Sequence, residues 1–115
     1  MPILLGSRIG VRPFSGMKMK KIPAGAKPYK RTPEFTEQTV PVGLVGRHET
    51  MPEVWGMIHV TEGSLVYRIL EPDIEEYRLE PARPGIVEPQ IPHQMQIVGP
   101  VRFYVEFYRM APDAP

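Results

Sequence analysis

Proline is the feature that most restricts what this chain can fold into, because 15 of its 115 residues are proline. Proline is excluded from helix interiors and from central positions of a β-sheet ladder. The prolines occur one at a time from position 2 to position 115, and few intervals between them could hold a helix of ordinary length. The sequence therefore excludes a mainly helical protein and favours short strands separated by turns.

Length and composition indicate one globular domain. A chain of 115 residues fits a single core, and 42% hydrophobic residues supply enough apolar side chains for it. No apolar run approaches the roughly 20 residues that cross a bilayer, and no signal-peptide pattern opens the chain, so we expect no membrane partner. The chain contains no cysteine, which excludes disulfides and thiolate metal sites and is compatible with the cytoplasmic location that we expect.

Charge is divided unequally along the chain. Residues 1–33 contain eight basic and no acidic residues, whereas the remainder contains six basic and thirteen acidic ones. The basic segment could bind a phosphate-rich partner such as nucleic acid, or it could lie along the acidic body of its own chain or of a partner subunit. We favour the second interpretation, because Lys18, Lys20 and Lys21 have no neighbouring aromatic residues on which bases could stack.

Short β-rich segments alternate with turn residues from residue 39 onward, at intervals typical of an all-β sandwich or barrel. We expect roughly seven or eight strands, and the clearest segments are residues 39–45, 54–62, 65–70, 76–80, 86–88, 94–98 and 101–109. Residues 62–64 are expected to form the tight turn of a hairpin. In the last strand, alternation places Phe103, Val105 and Phe107 on one face and Glu106 on the other.

The histidines are the main candidates for chemistry, because imidazole binds divalent metal ions and a carboxylate can complete such a site. His93 follows a loop with two prolines, which restrict the loop and lower the entropic cost of ordering a ligand. His48 is expected at the end of a strand, where a ligand role and a surface role are both open. For His59, in the middle of a strand, a structural role is favoured. Glu88, five residues before His93, is a carboxylate ligand, the partner in a salt bridge or a turn cap.

Motifs of several enzyme classes are missing from the sequence. It contains no glycine-rich phosphate loop, no Gly-x-Ser-x-Gly elbow and no Gly-x-Gly-x-x-Gly fingerprint. Phosphate-loop, serine-hydrolase and dinucleotide chemistry are therefore not indicated, and the residues alone assign no catalytic group.

Several stretches together point to a known family: residues 28–35, 47–56, 60–65, 85–93 and 103–108. They resemble the small cupin-like domain named for tellurite-resistance protein B, over a region from about Ile22 to Arg109. The resemblance implies a single-domain, cupin-type double-stranded β-helix, or jelly roll, with its site inside the barrel. The implied organisation is a basic extension over residues 1–21, the domain over residues 22–110 and a tail over residues 111–115.

The resemblance also implies a set of site residues. His93 matches the histidine of the second cupin motif, and His48 matches a histidine of the first. Cupins usually carry a His-x-His pair, but here Gly46 and Thr50 flank His48 at that spacing. With Glu88 as the carboxylate, the implied site is a facial triad or an open zinc site that holds one divalent ion, either zinc, iron, nickel or manganese.

Three functions are compatible with this resemblance. The leading expectation is a metal-binding protein that binds or senses a small-molecule or anionic ligand, linked to tellurite or other oxyanion stress. The alternatives are a metal-dependent cupin enzyme, such as a dioxygenase or isomerase, and a non-catalytic interaction module. A homodimer is expected, formed through exposed strands such as the face that carries Met57, His59 and Thr61. Longer members carry methyl transfer on a separate domain, so we expect none here.

Overall fold

The computed structural model describes residues 11–12 and 19–110. In this part of the chain nine strands and one helical turn follow each other: β1 (Val11–Arg12), β2 (Ala26–Arg31), β3 (Phe35–Thr36), α1 (Val42–Val45), β4 (Trp55–Gly63), β5 (Leu65–Ile69), β6 (Ile74–Leu79), β7 (Gly85–Val87), β8 (His93–Gln96) and β9 (Val101–Met110). The predicted all-β class is confirmed. Most of the predicted basic extension and the whole predicted tail lie outside the described residues.

The strands form two sheets. One has the order β1-β6-β5-β8, and the other has the order β2-β9-β4-β7, with the short β3 also pairing with β9. β1 runs parallel to β6, and the remaining pairs are antiparallel. No helix in the described ranges has the length and apolar character needed to cross a membrane.

Both sheets contribute equally to one hydrophobic core. Six of its buried residues come from the sheet containing β9 and six from the sheet containing β5: Ile58, Val60, Val87, Val101, Phe103 and Val105 face Leu65, Tyr67, Ile69, Tyr77, Leu79 and Met95. The Tyr67 hydroxyl donates a hydrogen bond to the carbonyl oxygen of Ile86 at 2.8 Å. This bond links β5 to β7 and therefore joins the two sheets.

Alternation along the strands places the core residues, as the sequence predicts. In β4, Ile58 and Val60 are buried while Met57 and His59 are half-buried on the opposite face. In β9 the same rule buries Phe103 and Val105 and turns Glu106 away from the core. Successive side chains of a strand point to opposite faces, so burial of one face follows directly from the residue pattern.

The predicted hairpin at residues 62–64 is wrong. β4 pairs with β9 and β7, whereas β5 pairs with β6 and β8, so the chain changes sheets between Gly63 and Leu65. Gly63 has a φ of 77°, and a Cβ there would run into the carbonyl oxygen of Pro100. The glycine therefore makes a corner between the two sheets. In the sequence, such a corner and a hairpin share the same pattern, namely two short strand segments around a turn residue.

Two further segments differ from the sequence prediction. The strand predicted over residues 39–45 is wrong, because α1 begins after Pro41 and the Gly46 N–H closes its turn on the Val42 carbonyl. β2 was not predicted, because the strand pattern was traced only from residue 39 onward. It lies at the edge of its sheet, with a register shift after Pro28, where proline and lysine are tolerated.

Candidate functional site

His48 and His93 lie side by side. They form an isolated antiparallel bridge, so His48 does not end a strand as predicted but pairs alone with the first residue of β8. The centroids of their imidazole rings are 5.4 Å apart, and the ring planes meet at 85°. The structure therefore brings together the two histidines that the sequence selected.

His93 occupies a buried and well-defined position. Its side chain is 2% exposed, and its ring meets the ring of Tyr67 edge to face at 5.7 Å. Nδ1 lies 3.1 Å from the carbonyl oxygen of Ile91. A carbonyl oxygen only accepts, so Nδ1 carries the proton and, in the neutral ring, Nε2 keeps its lone pair.

Burial is the main cause that lowers the pKa of His93. The neighbouring His48 lowers it further, while the hydrogen bond to Ile91 and the charge of Glu49 act in the opposite direction. Transfer of an imidazolium into an apolar environment is unfavourable, so the neutral ring predominates. Neutral imidazole is also the form that binds metal ions and accepts hydrogen bonds.

Two spaces adjoin the histidine pair. The inner one is a cavity of about 10 Å³ lined by residues of both sheets, including His48 and His93. This is about the volume that one water molecule requires. The outer one is a pocket of about 200 Å³, lined by Tyr29, Lys30, His48, Glu49, Thr50, Met51, Val54 and Phe107. His48, Thr50 and Phe107 line both spaces, so they form the wall between them.

Thr50 holds this wall to the neighbouring loops. It is buried, its hydroxyl donates to the carbonyl oxygen of Val54 at 2.8 Å, and the N–H of Gln90 donates to that hydroxyl at 3.3 Å. One side chain thus connects the loop that follows His48 to the loop that precedes His93. Both loops are fixed relative to the histidine pair as a result.

Glu88, the candidate carboxylate ligand, makes an ion pair with a lysine. Its carboxylate lies 3.8 Å from the ammonium group of Lys20, which is the salt bridge that the sequence left open. Within the described residues, no three His, Cys, Asp or Glu side chains are arranged to hold a metal ion. The histidine pair therefore has no third protein ligand in this part of the chain.

The spacing of the two imidazoles nevertheless suits a shared ion. A metal–nitrogen bond of about 2.0 Å and tetrahedral angles would separate two ring centroids by about 5 Å, close to the 5.4 Å observed. The Nδ1 contact of His93 to a main-chain carbonyl is the kind of outer contact that orients metal-binding histidines. The centroid distance is compatible with a shared ion and is equally that of an ordinary edge-to-face ring contact, and among the described residues the pair supplies only two protein ligands.

His59 belongs to a separate cluster on the outer face of its sheet. Its Nε2 lies 3.3 Å from a carboxylate oxygen of Glu106, and its ring stacks on Tyr104 at 4.7 Å. The Tyr108 hydroxyl donates to the same Glu106 oxygen at 2.9 Å. His59 therefore has the structural surroundings that were favoured for it.

Sequence reasoning missed most of the outer pocket. Tyr29 and Lys30 lie on the unpredicted strand β2, and Met51 and Val54 lie in a loop. For Phe107 the sequence indicated only the strand face that it shares with Phe103 and Val105. Thr50 was noted only as a position where cupins carry histidine. The useful signal is that a side chain with a hydroxyl is buried, and this burial can be known only from the folded structure.

Comparison with known proteins agrees with this fold. A protein from Escherichia coli strain K12 matches 82% of this chain and all of its own, with 20% identity and a TM-score of 0.74. The crystal structure of TehB from Haemophilus influenzae matches with 25% identity and a TM-score of 0.70. That match covers 76% of this chain but 32% of TehB, so the chain corresponds to about one third of that protein. No curated protein matches this sequence significantly.

The family model is the most direct finding. The model of the TehB-like domain matches residues 30–105, about two thirds of the chain, which confirms the family indicated by the sequence resemblance. Because the match covers well over half of its length, this chain belongs to the TehB-like domain family.

Proposed function

We propose that this TehB-like domain binds a small oxyanion in the outer pocket, with His48 and Lys30 as the contact residues. The observation that carries the proposal is the position of His48, which lines both the pocket and the inner cavity shared with His93. A ligand in the pocket therefore contacts an imidazole whose environment is set by a second, buried imidazole. The site is a binding site, and we assign no catalytic step to it.

The size and chemistry of the pocket support a ligand of a few heavy atoms. Its volume of about 200 Å³ is below the range of about 300–1,000 Å³ that suits drug-sized molecules. Lys30 supplies a positive charge, and His48 supplies a ring N–H or a lone pair. The carboxylate of Glu49, which also lines the pocket, selects for a ligand with a hydroxyl donor. A protonated oxyanion carries both acceptor oxygens and such a hydroxyl.

The family supports tellurite or a related oxyanion as the ligand. We extend to this chain the link to tellurite resistance that the sequence resemblance implies. The pocket chemistry provides an independent reason for the same class, because a cationic side chain and an imidazole meet at a small opening. Selenite, phosphate and sulfate are the comparison ligands.

The test is a titration of the full chain with sodium tellurite, followed through the imidazole NMR signals of its histidines. We expect the His48 signals to shift with saturation, and Lys30→Gln to weaken binding by about ten-fold. Lys27→Gln is the matched control, because Lys27 is exposed on the same strand but does not line the pocket. Absence of any His48 shift with tellurite and with all three comparison anions at millimolar concentration would overturn the proposal.

A divalent metal ion held by His48 and His93 is the second candidate, favoured by the spacing of the rings. Cobalt(II) is a suitable probe, because its visible spectrum reports on its ligands. We expect about one ion per chain, with loss of binding in His48→Ala and His93→Ala and retention in the control His59→Ala. Glu88→Gln tests whether Glu88 is the third ligand. Weaker cobalt binding supports a role for its carboxylate, and unchanged binding excludes Glu88 as a ligand. Equal cobalt content in the His48→Ala, His93→Ala double variant would eliminate this candidate.

We also propose that the two sheets are those of a cupin-type jelly roll. Equal contributions of both sheets to one core and the corner at Gly63 support this assignment.

A further inference from the structure

Exposed apolar side chains are concentrated in one groove beside the outer pocket. Five large hydrophobic residues stand exposed in the described part of the chain, and three of them line this groove: Tyr29, Met51 and Met110, at 44%, 73% and 52% exposure. The groove is a second pocket of about 260 Å³ that shares Tyr29, Met51 and Val54 with the outer pocket. Scattered apolar residues need no explanation, but a contiguous patch rimmed by charge is typical of an interaction surface.

The charges around the groove are arranged by sign. Lys30 on β2 and Arg109 on β9 form a basic side, while Glu49 and Glu53 on the loop before β4 form an acidic side. No ion pair involves any of these four residues within residues 19–110. Arg109 instead lies over the ring of Tyr29, with 4.3 Å between the guanidinium carbon and the ring centroid. Among residues 19–110, the patch thus has an apolar centre and, at its rim, charges of both signs that form no ion pair.

We propose that a second copy of this chain docks on this groove about a two-fold axis. In such a contact the same patch faces itself, so the acidic loop of each copy meets the basic strands of the other. The charges of the patch complement themselves in this arrangement, whereas a partner of one sign would satisfy only half of them. An apolar centre with a polar rim is also the usual composition of an interface.

The dimer covers the open side of the outer pocket, because Tyr29, Met51 and Val54 belong to both spaces. Residues of the second copy then help to enclose any ligand beside His48. This consequence rests on the proposed function, but the dimer itself does not. Its test measures oligomeric state without ligand, so failure of the dimer and failure of oxyanion binding are distinguishable.

The first test is sedimentation of the full chain over a range of concentrations, with Met51→Glu as the variant. We expect a wild-type dimer and at least a ten-fold increase in the dimer dissociation constant for Met51→Glu, since a buried charge opposes association. Val42→Glu is the matched control: Val42 is 84% exposed, lies outside the groove, and should leave the dimer unchanged. A monomeric wild type at all concentrations, or equal dissociation constants for the two variants, would overturn the proposal.

A charge-reversal cycle tests the orientation. Glu53→Arg and Arg109→Glu should each weaken the dimer by several-fold, and the double variant should recover most of the loss, because the pair re-forms with opposite signs. Circular dichroism of each variant checks that it is folded. If the two losses simply add in the double variant, the acidic loop does not face the basic strands and the two-fold arrangement is wrong.

Discussion

His48 and His93 hydrogen-bond to each other's main chain in both directions. The N–H of His48 donates to the carbonyl oxygen of His93 at 2.8 Å, and the N–H of His93 donates to that of His48 at 2.9 Å. They lie 45 positions apart in the sequence. The backbone pairing therefore holds the two Cα atoms next to each other, so that both imidazoles project from adjacent main-chain positions. The predictions below follow from this arrangement and from the contacts that support it.

Acidification should destabilise the protein through His93. Burial lowers its pKa below the ordinary value of 6.5, so near that pH the unfolded chain binds a proton that the folded chain does not. The free energy of unfolding therefore falls as the pH drops through about 6.5, and it levels off below the pKa of the folded state. Urea unfolding in metal-free buffer between about pH 7.5 and 5.5 measures this loss. His93→Gln should remove part of the pH dependence; an unchanged slope in His93→Gln would contradict the prediction.

Alkaline pH should destabilise the protein through Tyr67. Burial first, and then the negative charge of Glu88, raise the pKa of this phenol above its usual 10.0. The contribution of the protonated Tyr67 phenol to the free energy of unfolding is complete below about pH 10. It is lost as the pH rises further, because this phenol ionises at a lower pH in the unfolded chain than in the folded one. Tyr67→Phe should reduce this loss and cost about 1–2 kcal/mol at neutral pH, since the Ile86 carbonyl loses its donor. Denaturant unfolding from neutral pH to about pH 11 is the measurement; an alkaline loss of equal size in Tyr67→Phe would count against it.

Gly63→Ala should be strongly destabilising, by more than about 2 kcal/mol. The residue has a positive φ, and the added methyl group meets the main chain at Pro100, which cannot move without disturbing the start of β9. Gly43→Ala is the control, because a Cβ there has no atom within 4 Å and alanine favours the α1 turn. Thermal unfolding of both variants measures the difference. Similar stability for the two would show that the corner at Gly63 tolerates a side chain.

Thr50→Val should separate the roles of shape and hydrogen bonding in the wall of the site. Valine keeps the volume but removes the bonds to Val54 and Gln90, which should cost about 1–3 kcal/mol. Thr50→Ser keeps the hydroxyl and should cost less. Amide hydrogen exchange of the two loops, together with urea unfolding, measures the effect. Faster exchange in Thr50→Ser than in Thr50→Val would be the contrary result.

Much of the fold could be predicted from local patterns. The alternation in β4 and β9 identified Ile58, Val60, Phe103 and Val105 as core residues, because strand geometry alone assigns the faces. That β4 and β5 belong to different sheets could not be predicted in this way. Gly63 suits a hairpin turn and a corner between sheets equally well, and the pairing of β4 with β7 and β9 and of β5 with β6 and β8 decides between them.

The candidate site, too, could be predicted only in part from the sequence. Residue chemistry and the family resemblance selected His48 and His93, and the structure brings them together. The carboxylate of Glu88 was selected by its position in the sequence, yet it pairs with Lys20. Thr50 and Phe107 gain their place at the site from neighbours far along the chain, so no local pattern could have indicated it.

By itself, the amino-acid sequence determined the all-β class, the faces of the long strands and the family, because these depend on residue type and on the two-residue period of a strand. Only the tertiary structure decided which strands pair, where the chain changes sheets and which side chains surround His48. Those properties depend on hydrogen bonds and packing between segments that are distant in sequence. The residue pattern of one segment does not indicate which distant segment it will contact.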